Sequence, residues 1–237
     1  MFMATYKQLA LFPEYNITGQ GIKALSEHRR RIKRFRNLDL IEDLAHENGY
    51  SPIVLKAVKG IIPHKLIAFS KASRSMLNNK IVHFYEYDYV IDAIWNNPQK
   101  YTKMLKRAYA VIGPDWSMNP SYPEEVNKWN FFMIRVISHY LQKNGVSLIP
   151  NIPVCSPLHY DSIFSSFEVG GIYAISNVQA YNNYFSRHQW YNFVREAIKR
   201  LTPEALIIYG NRMEIAGVKA YYFENENLNI LRNGKRK

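Results

Sequence analysis

Residues 81 to 113, IVHFYEYDYVIDAIWNNPQKYTKMLKRAYAVIG, decide the fold. The stretch opens on an apolar run, IVHFY, and closes on another, AYAVIG. Between them Val90, Ile94, Tyr101, Leu105 and Ala108 fall on one face of a helix expected from Tyr89 to Arg107. Strand, helix, strand is the unit of a parallel sheet, because parallel neighbours need a long crossover that a helix supplies.

The same alternation extends outward. Further short apolar runs are IVLKAV near 53, KLIAF near 65, VSLIP near 146, GIYAIS near 171, EALIIYG near 204 and KAYYF near 219. Amphipathic stretches run from Glu124 to Lys143, with Val126, Trp129, Met133, Val136, Ile137 and Tyr140 on a face, and from Arg187 to Leu201. The fold class is therefore α/β, a mostly parallel sheet with alternating helices. Eight candidate strands suit a small (β/α)8-like barrel, although roughly 185 residues are fewer than the ~250 typical of that fold. A doubly wound open sheet is the alternative.

The body expected over residues 50–223 carries extensions. Residues 1–20 lack periodicity and end in Thr18-Gly19-Gln20-Gly21, a linker signature, so they read as a flexible arm. Residues 21–49 read as a basic helical segment. Within it LDLIEDLAHE, 38 to 47, has helical spacing at Leu38, Ile41, Leu44 and Ala45, and Gly49 and Pro52 follow it. Residues 224–237 read as a basic tail.

The 237 residues are 47% apolar, enough for a sizeable core, which excludes global disorder. There are 31 Lys and Arg against 19 Asp and Glu, a net charge of +12. The excess sits at the ends. HRRRIKRFR, residues 28–36, holds Arg29, Arg30, Arg31, Lys33, Arg34 and Arg36. The tail adds Arg232, Lys235, Arg236 and Lys237. Setting those ten aside leaves 21 bases against 19 acids. Clustered cations repel one another unless an anion screens them, and each one placed on a phosphate releases counterions. The two ends are thus expected to contact nucleic acid, DNA in the first instance. A solvated helix face and a frayed tail are the simpler alternative.

Gln8-Leu9-Ala10-Leu11-Phe12 is similar to the bacterial sliding-clamp-binding peptide. In such a peptide Leu11 and Phe12 enter an apolar pocket, Leu9 packs nearby and the Gln8 amide directs hydrogen bonds. Pro13 keeps the preceding residue extended. That resemblance implies a sliding clamp as partner and a bacterial replication setting. An edge strand stapled to the core is the competing reading.

Three segments of the body carry a wider resemblance. They are His83-Phe84-Tyr85-Glu86-Tyr87-Asp88 with Ile94-Trp95-Asn96-Asn97-Pro98-Gln99-Lys100-Tyr101; Gly113-Pro114-Asp115-Trp116-Ser117; and Trp129-Asn130, Arg135, Tyr140, Gln142, Asn144-Gly145 and Ile149-Pro150. Over about residues 50–223 they resemble the domain of unknown function 4417, a family of bacteria, their phages and their plasmids. That family usually has two adjacent acids where this chain has Tyr87-Asp88, and a second Arg near Met133. The resemblance implies a mobile-element setting.

Asp88 and Asp115 fall at the carboxyl ends of expected strands, the rim where parallel α/β folds build sites. They can share a Mg²⁺ ion for phosphodiester work, or act as nucleophile and general acid or base. Arg135 can clamp a phosphate. The structural alternatives are N-caps and turns for the acids, and charge neutralisation for Arg135. Asn151, Asn177 and Asn211 are neutral hydrogen-bonders at other strand ends. Tyr85, Tyr87, Tyr89, Tyr181 and Tyr184 can stack on bases or line core edges.

Other chemistry is unsupported. His28, His64 and His139 lack metal-ligand spacing, His159-Tyr160-Asp161 reads as a loop, and Cys155 reads as inert. There is no phosphate-loop or dinucleotide glycine pattern. No long apolar run or signal layout is present, so no membrane partner is expected and a cytoplasmic location follows.

The expectation is a phage or plasmid DNA-binding protein, recruited to the clamp, acting in replication initiation or DNA processing. The alternatives are a nucleic-acid-modifying enzyme using Asp88 and Asp115, and a non-enzymatic clamp-binding inhibitor of host replication.

Overall fold

A computed structural model describes residues 37–225, except 62, 64, 74, 179 and 181–183. The clamp-like peptide, both basic ends, His28, His64 and Tyr181 lie outside the described residues.

A 3-10 turn, Leu38–Leu44, leads into two short antiparallel strands, β1 (Ala45–His46) and β2 (Gly49–Tyr50). The continuous helix expected over 38–47 does not form: the turn is broken at Ile41, where φ is −116°. Leu40 and Ile41 are buried, so packing of this adjacent pair replaces a helical stripe. His139 and Lys143 both reach Asp43, each at 2.9 Å, and tie the turn to the body.

Seven parallel strands follow: β3 (Lys65–Ala68), β4 (Lys80–Phe84), β5 (Ala110–Pro114), β6 (Leu148–Ile149), β7 (Ile172–Ser176), β8 (Ala205–Tyr209) and β9 (Lys219–Phe223). β3 to β6 form one ladder and β7 to β9 another. A parallel bridge, Asn151 to Ala174, links the two groups just past β6. The strands thus neighbour one another in chain order with no reversal, which removes the doubly wound alternative. No pairing joins β9 to β3 among the described residues. The expected first strand, IVLKAV, makes only isolated bridges from Leu55 to Phe167 and Val58 to Ile172.

The helices among the described residues are α1 (Phe69–Ala72), α2 (Asp88–Asn96), α3 (Pro98–Leu105), α4 (Glu124–Lys143), α5 (Tyr160–Phe164) and α6 (Tyr184–Leu201). The single helix expected from Tyr89 to Arg107 is two. Pro98 lacks the N–H that a continuous helix would need, and Asn97 caps the second helix by accepting from the Lys100 N–H. Tyr160-Asp161, expected in a loop, opens α5: Tyr160 packs edge-on against Phe164 and Phe193, and Asp161 pairs with Arg200.

The strands alternate cleanly. Val82, Phe84, Val111, Leu148, Tyr173 and Ile208 face the helices in one core cluster. Ile81, Ile112, Ile149, Ala174, Ile207 and Tyr221, from six different strands, meet in a second cluster on the other face. Among the described residues no helix contributes to that second cluster; the strands' own side chains fill it, together with Val58 and Ile61 from the segment before β3.

Gly113 sets the spacing between sheet and α4. A Cβ there would lie 3.0 Å from Ser138 Oγ and 3.4 Å from the Asn151 backbone nitrogen. Ser138 Oγ is buried and makes no hydrogen bond. Gly113→Ala is therefore expected to cost about 1–3 kcal/mol in urea unfolding, by overpacking. Ser138→Ala should be neutral or stabilising and should recover part of that loss in the double variant.

Candidate functional site

The carboxyl ends of β4 to β9 open one rim. After β5, Asp115 keeps an edge open to solvent while Trp116 beside it is buried. After β6, the Asn151 side chain turns to Asp115: its Nδ2 donates to Asp115 Oδ1 at 2.7 Å and to the Pro114 carbonyl at 3.2 Å. Its Oδ1 accepts from the Tyr85 hydroxyl at 2.9 Å. Tyr85 stacks on Tyr209 at 4.6 Å, with planes 17° apart, and the His83 ring lies 4.6 Å from Tyr209. The His83 Nδ1 accepts from the Tyr85 N–H. Three rings, an amide and a carboxyl, from four strands or their ends, thus form one contiguous cluster.

Asp88 is near but differently employed. Ser117 donates to it from its backbone N–H at 3.1 Å and from its hydroxyl at 3.0 Å. Asn130 on α4 donates to the Ser117 carbonyl at 2.8 Å. Asn127, also on α4, exchanges two 2.9 Å hydrogen bonds with Asn119. Trp116 Nε1 donates to Asp92 at 2.9 Å. The loop that carries Asp115 is thereby held from α2 on one side and α4 on the other. Asp88 acts on Asp115 through this loop and through its charge.

Electrostatics follow from this placement. Burial of the surroundings raises the Asp115 carboxyl to about 7; the Asn151 hydrogen bond opposes that rise and the Asp88 charge adds to it. Asp115 Oδ2 has no hydrogen-bond partner among the described residues. Burial also raises Tyr85 well above the usual phenol range, helped by Asp115 and Tyr209, so it remains a donor at neutral pH. The Cys155 thiol is pushed up to about 12 by burial, which leaves it unreactive near neutrality.

The other expected site residues sit elsewhere. Arg135 lies midway along α4, over the Phe131 ring at 4.6 Å and 3.4 Å from Ser166 Oγ, and makes no hydrogen bond to Asp88 or Asp115. Its Nε is buried without a hydrogen bond, and burial lowers its pKa. Asn177 is a structural clamp: it accepts from the Asn211 N–H at 2.8 Å and donates to the Asn211 carbonyl at 2.6 Å. A Cβ on Gly210 would come 2.1 Å from the Asn177 Oδ1, and φ there is +129°, so only glycine suits that turn. Among the described residues no group of three or more His, Cys, Asp or Glu gathers as a metal site.

Sequence reasoning placed Asn151 at a strand end but missed its link to Tyr85 and Asp115. It also missed Asn127 and Asn130. Their signal was present: both are amides inside the mostly apolar stripe of α4, and both are buried.

A chain-ordered parallel α/β body with a hydrogen-bonded polar and aromatic cluster at its carboxyl rim defines the class. The chain belongs to the family described as "Domain of unknown function (DUF4417)", whose model matches residues 51–225. It is similar to the Gene 1 protein of Mycobacterium phage L5, at 26% identity over 149 residues, covering 61% of this chain and 65% of the relative. It is also similar to the Gene 1 protein of Mycobacterium phage D29, at 24% identity over 145 residues, covering 59% of this chain and 54% of the relative. The chain thus spans less than two thirds of the length of either curated relative. No solved structure matches it. No helix among the described residues is long and apolar enough to cross a membrane.

The raised Asp115 pKa has a stability consequence. The folded protein holds this proton more tightly than the unfolded chain, so the contribution is present below the ordinary Asp pKa and is lost as pH rises towards 7. Asp115→Asn mimics the protonated form. It is expected to stabilise the protein by about 1–3 kcal/mol at pH 8, discounted for the solvent-open edge, and by little at pH 4. Urea unfolding at the two pH values measures the difference.

Proposed function

We propose that this protein is a nucleic-acid-processing protein of a phage or plasmid, with Asp115 as the proton-transfer group of its body. The observation that carries the reading is a carboxyl poised near neutrality, at the carboxyl rim of a parallel sheet, with one oxygen fixed by Asn151 and the other uncommitted. A group with a pKa near the working pH can both take and return a proton, which is what general acid–base chemistry requires. Asp115 holds or releases the proton; Asn151 and Tyr85 keep the carboxyl oriented. The placement of this reading among nucleic-acid proteins rests on the clustered cations, Arg29 to Arg36 and Arg232 to Lys237, and on the phage origin of the relatives. Gln8 to Phe12 serve as an address to the bacterial sliding clamp, and the cytoplasm of the bacterial host is where that clamp is met.

A Mg²⁺ ion shared by Asp88 and Asp115 is the second reading. It is favoured by the proximity that lets the Asp88 charge act on Asp115. It requires Asp88 to give up part of its hold on Ser117.

The test uses the full chain with defined single- and double-stranded oligonucleotides, read by gel for scission and by mass for base modification. Wild type is expected to alter one of them. Asp115→Asn should bind as before and lose at least about 100-fold in rate, the scale of a positioned acid or base. EDTA leaves the rate unchanged if Asp115 works alone and abolishes it if Mg²⁺ is shared. Replacing Arg29, Arg30 and Arg31 by Ala should weaken binding and flatten its salt dependence by about three phosphate contacts' worth of slope. Leu11→Ala with Phe12→Ala should remove clamp pull-down alone. Wild type that neither binds nor alters nucleic acid overturns the proposal.

A further inference from the structure

Two large side chains beside the rim are not used by the site just described. Tyr87 and Tyr89 are 71% and 74% exposed. Their rings stack on each other with centroids 5.6 Å apart and planes only 10° from parallel. Tyr87 is in extended conformation just before α2, and Tyr89 is in its first turn. Position and offset give a flat aromatic surface that contributes almost nothing to the core.

The surface belongs to the rim by connectivity. Tyr85, two residues before Tyr87, bonds to Asn151, and Asp88, between the two tyrosines, holds the loop carrying Asp115. The nearby acids are each occupied: Glu86 accepts from Ser70, Asp88 from Ser117 and Asp92 from Trp116. They still make this part of the rim unsuited to phosphate. A ligand that uses the tyrosines therefore presents uncharged planar faces here and keeps its charge elsewhere. The 5.6 Å spacing leaves no room to insert a ring between the two, so stacking uses the outer faces.

We propose that Tyr87 and Tyr89 form a stacking platform for unpaired bases of a single-stranded nucleic acid, beside the Asp115 cluster. The proposal rests on the nucleic-acid reading above. The charge imbalance, 31 basic against 19 acidic residues, favours a polyanionic occupant, and the local acids turn its bases, not its phosphates, to the tyrosines. Every base has a π-face, so such contacts tolerate sequence and add to a salt-dependent grip made by cations elsewhere.

The test is fluorescence anisotropy with a labelled single-stranded oligonucleotide and a blunt duplex of the same sequence. Tyr87→Ala with Tyr89→Ala is expected to weaken single-strand binding at least about fivefold, the low end for one stacked base. Duplex affinity should hold within twofold, and the slope of affinity against salt should not change, because no phosphate contact is removed. Tyr87→Phe with Tyr89→Phe should bind like wild type. Both tyrosines are surface residues, and a thermal melt confirms folding of each variant. Wild-type single-strand binding that the Ala pair leaves intact, or a Phe pair as weak as the Ala pair, overturns this platform and leaves the nucleic-acid reading standing. Wild type that binds neither oligonucleotide overturns both.

Discussion

One geometric rule organises this molecule: crossovers between parallel strands favour a single hand. When strands are added in chain order with no reversal, that handedness sends the intervening helices to one side of the sheet. Among the described residues the opposite side is then buried mainly by the strands' own side chains. Ile81, Ile112, Ile149, Ala174 and Ile207 meet there across five strands. The hydrophobic effect that packs α4 and α6 on one face of the strands thus gathers the strands' own side chains on the other. The polar ends of those strands are consequently brought to one rim, which is why residues from positions 83, 115, 151 and 209 can touch.

The rim is built mainly from neutral hydrogen-bonders, and this explains its electrostatic character. Asn151, Asn127 and Asn130 fix loops by donating and accepting without bringing a counter-charge. An Arg or Lys on Asp115 would drive its pKa down. Here a single amide donor meets the opposing effects of burial and of Asp88, and the carboxyl ends near neutrality. Asp88 itself accepts twice from Ser117, so two acids of similar sequence context are given different work by what donates to them.

Much of the architecture was legible because it depends on periodicity. The strands from β3 to β9, the span of α4 and the parallel class all follow from apolar spacing in the sequence. The exceptions have local causes. Pro98 divides one amphipathic stretch into two helices, and the IVLKAV run pairs only through isolated bridges to Phe167 and Ile172. The 38–47 segment gains more from burying adjacent Leu40 and Ile41 than from helical spacing. Asp88 and Asp115 were recognisable by position, since strand ends are visible in a sequence. The placement of Arg135 over Phe131 was not, because nothing in a helical pattern says which layer a lone cation joins. The Tyr85–Asn151–Asp115 chain of hydrogen bonds joins residues 66 and 36 positions apart, and no local pattern encodes such a pairing.

Asn37 marks where the preceding chain joins the body. It is buried, left-handed at φ 53°, and its Nδ2 donates to the Trp95 carbonyl at 2.8 Å. Trp95 is near the end of α2, whose beginning carries Asp88 at the rim. A nine-residue helix is about 13 Å long at 1.5 Å per residue. The start of the described body is therefore anchored one short strut away from the polar cluster of the rim. One rigid rod thus ties the start of the described body to the rim, so the separation between Asn37 and the loop held by Asp88 is fixed by the length of a single helix.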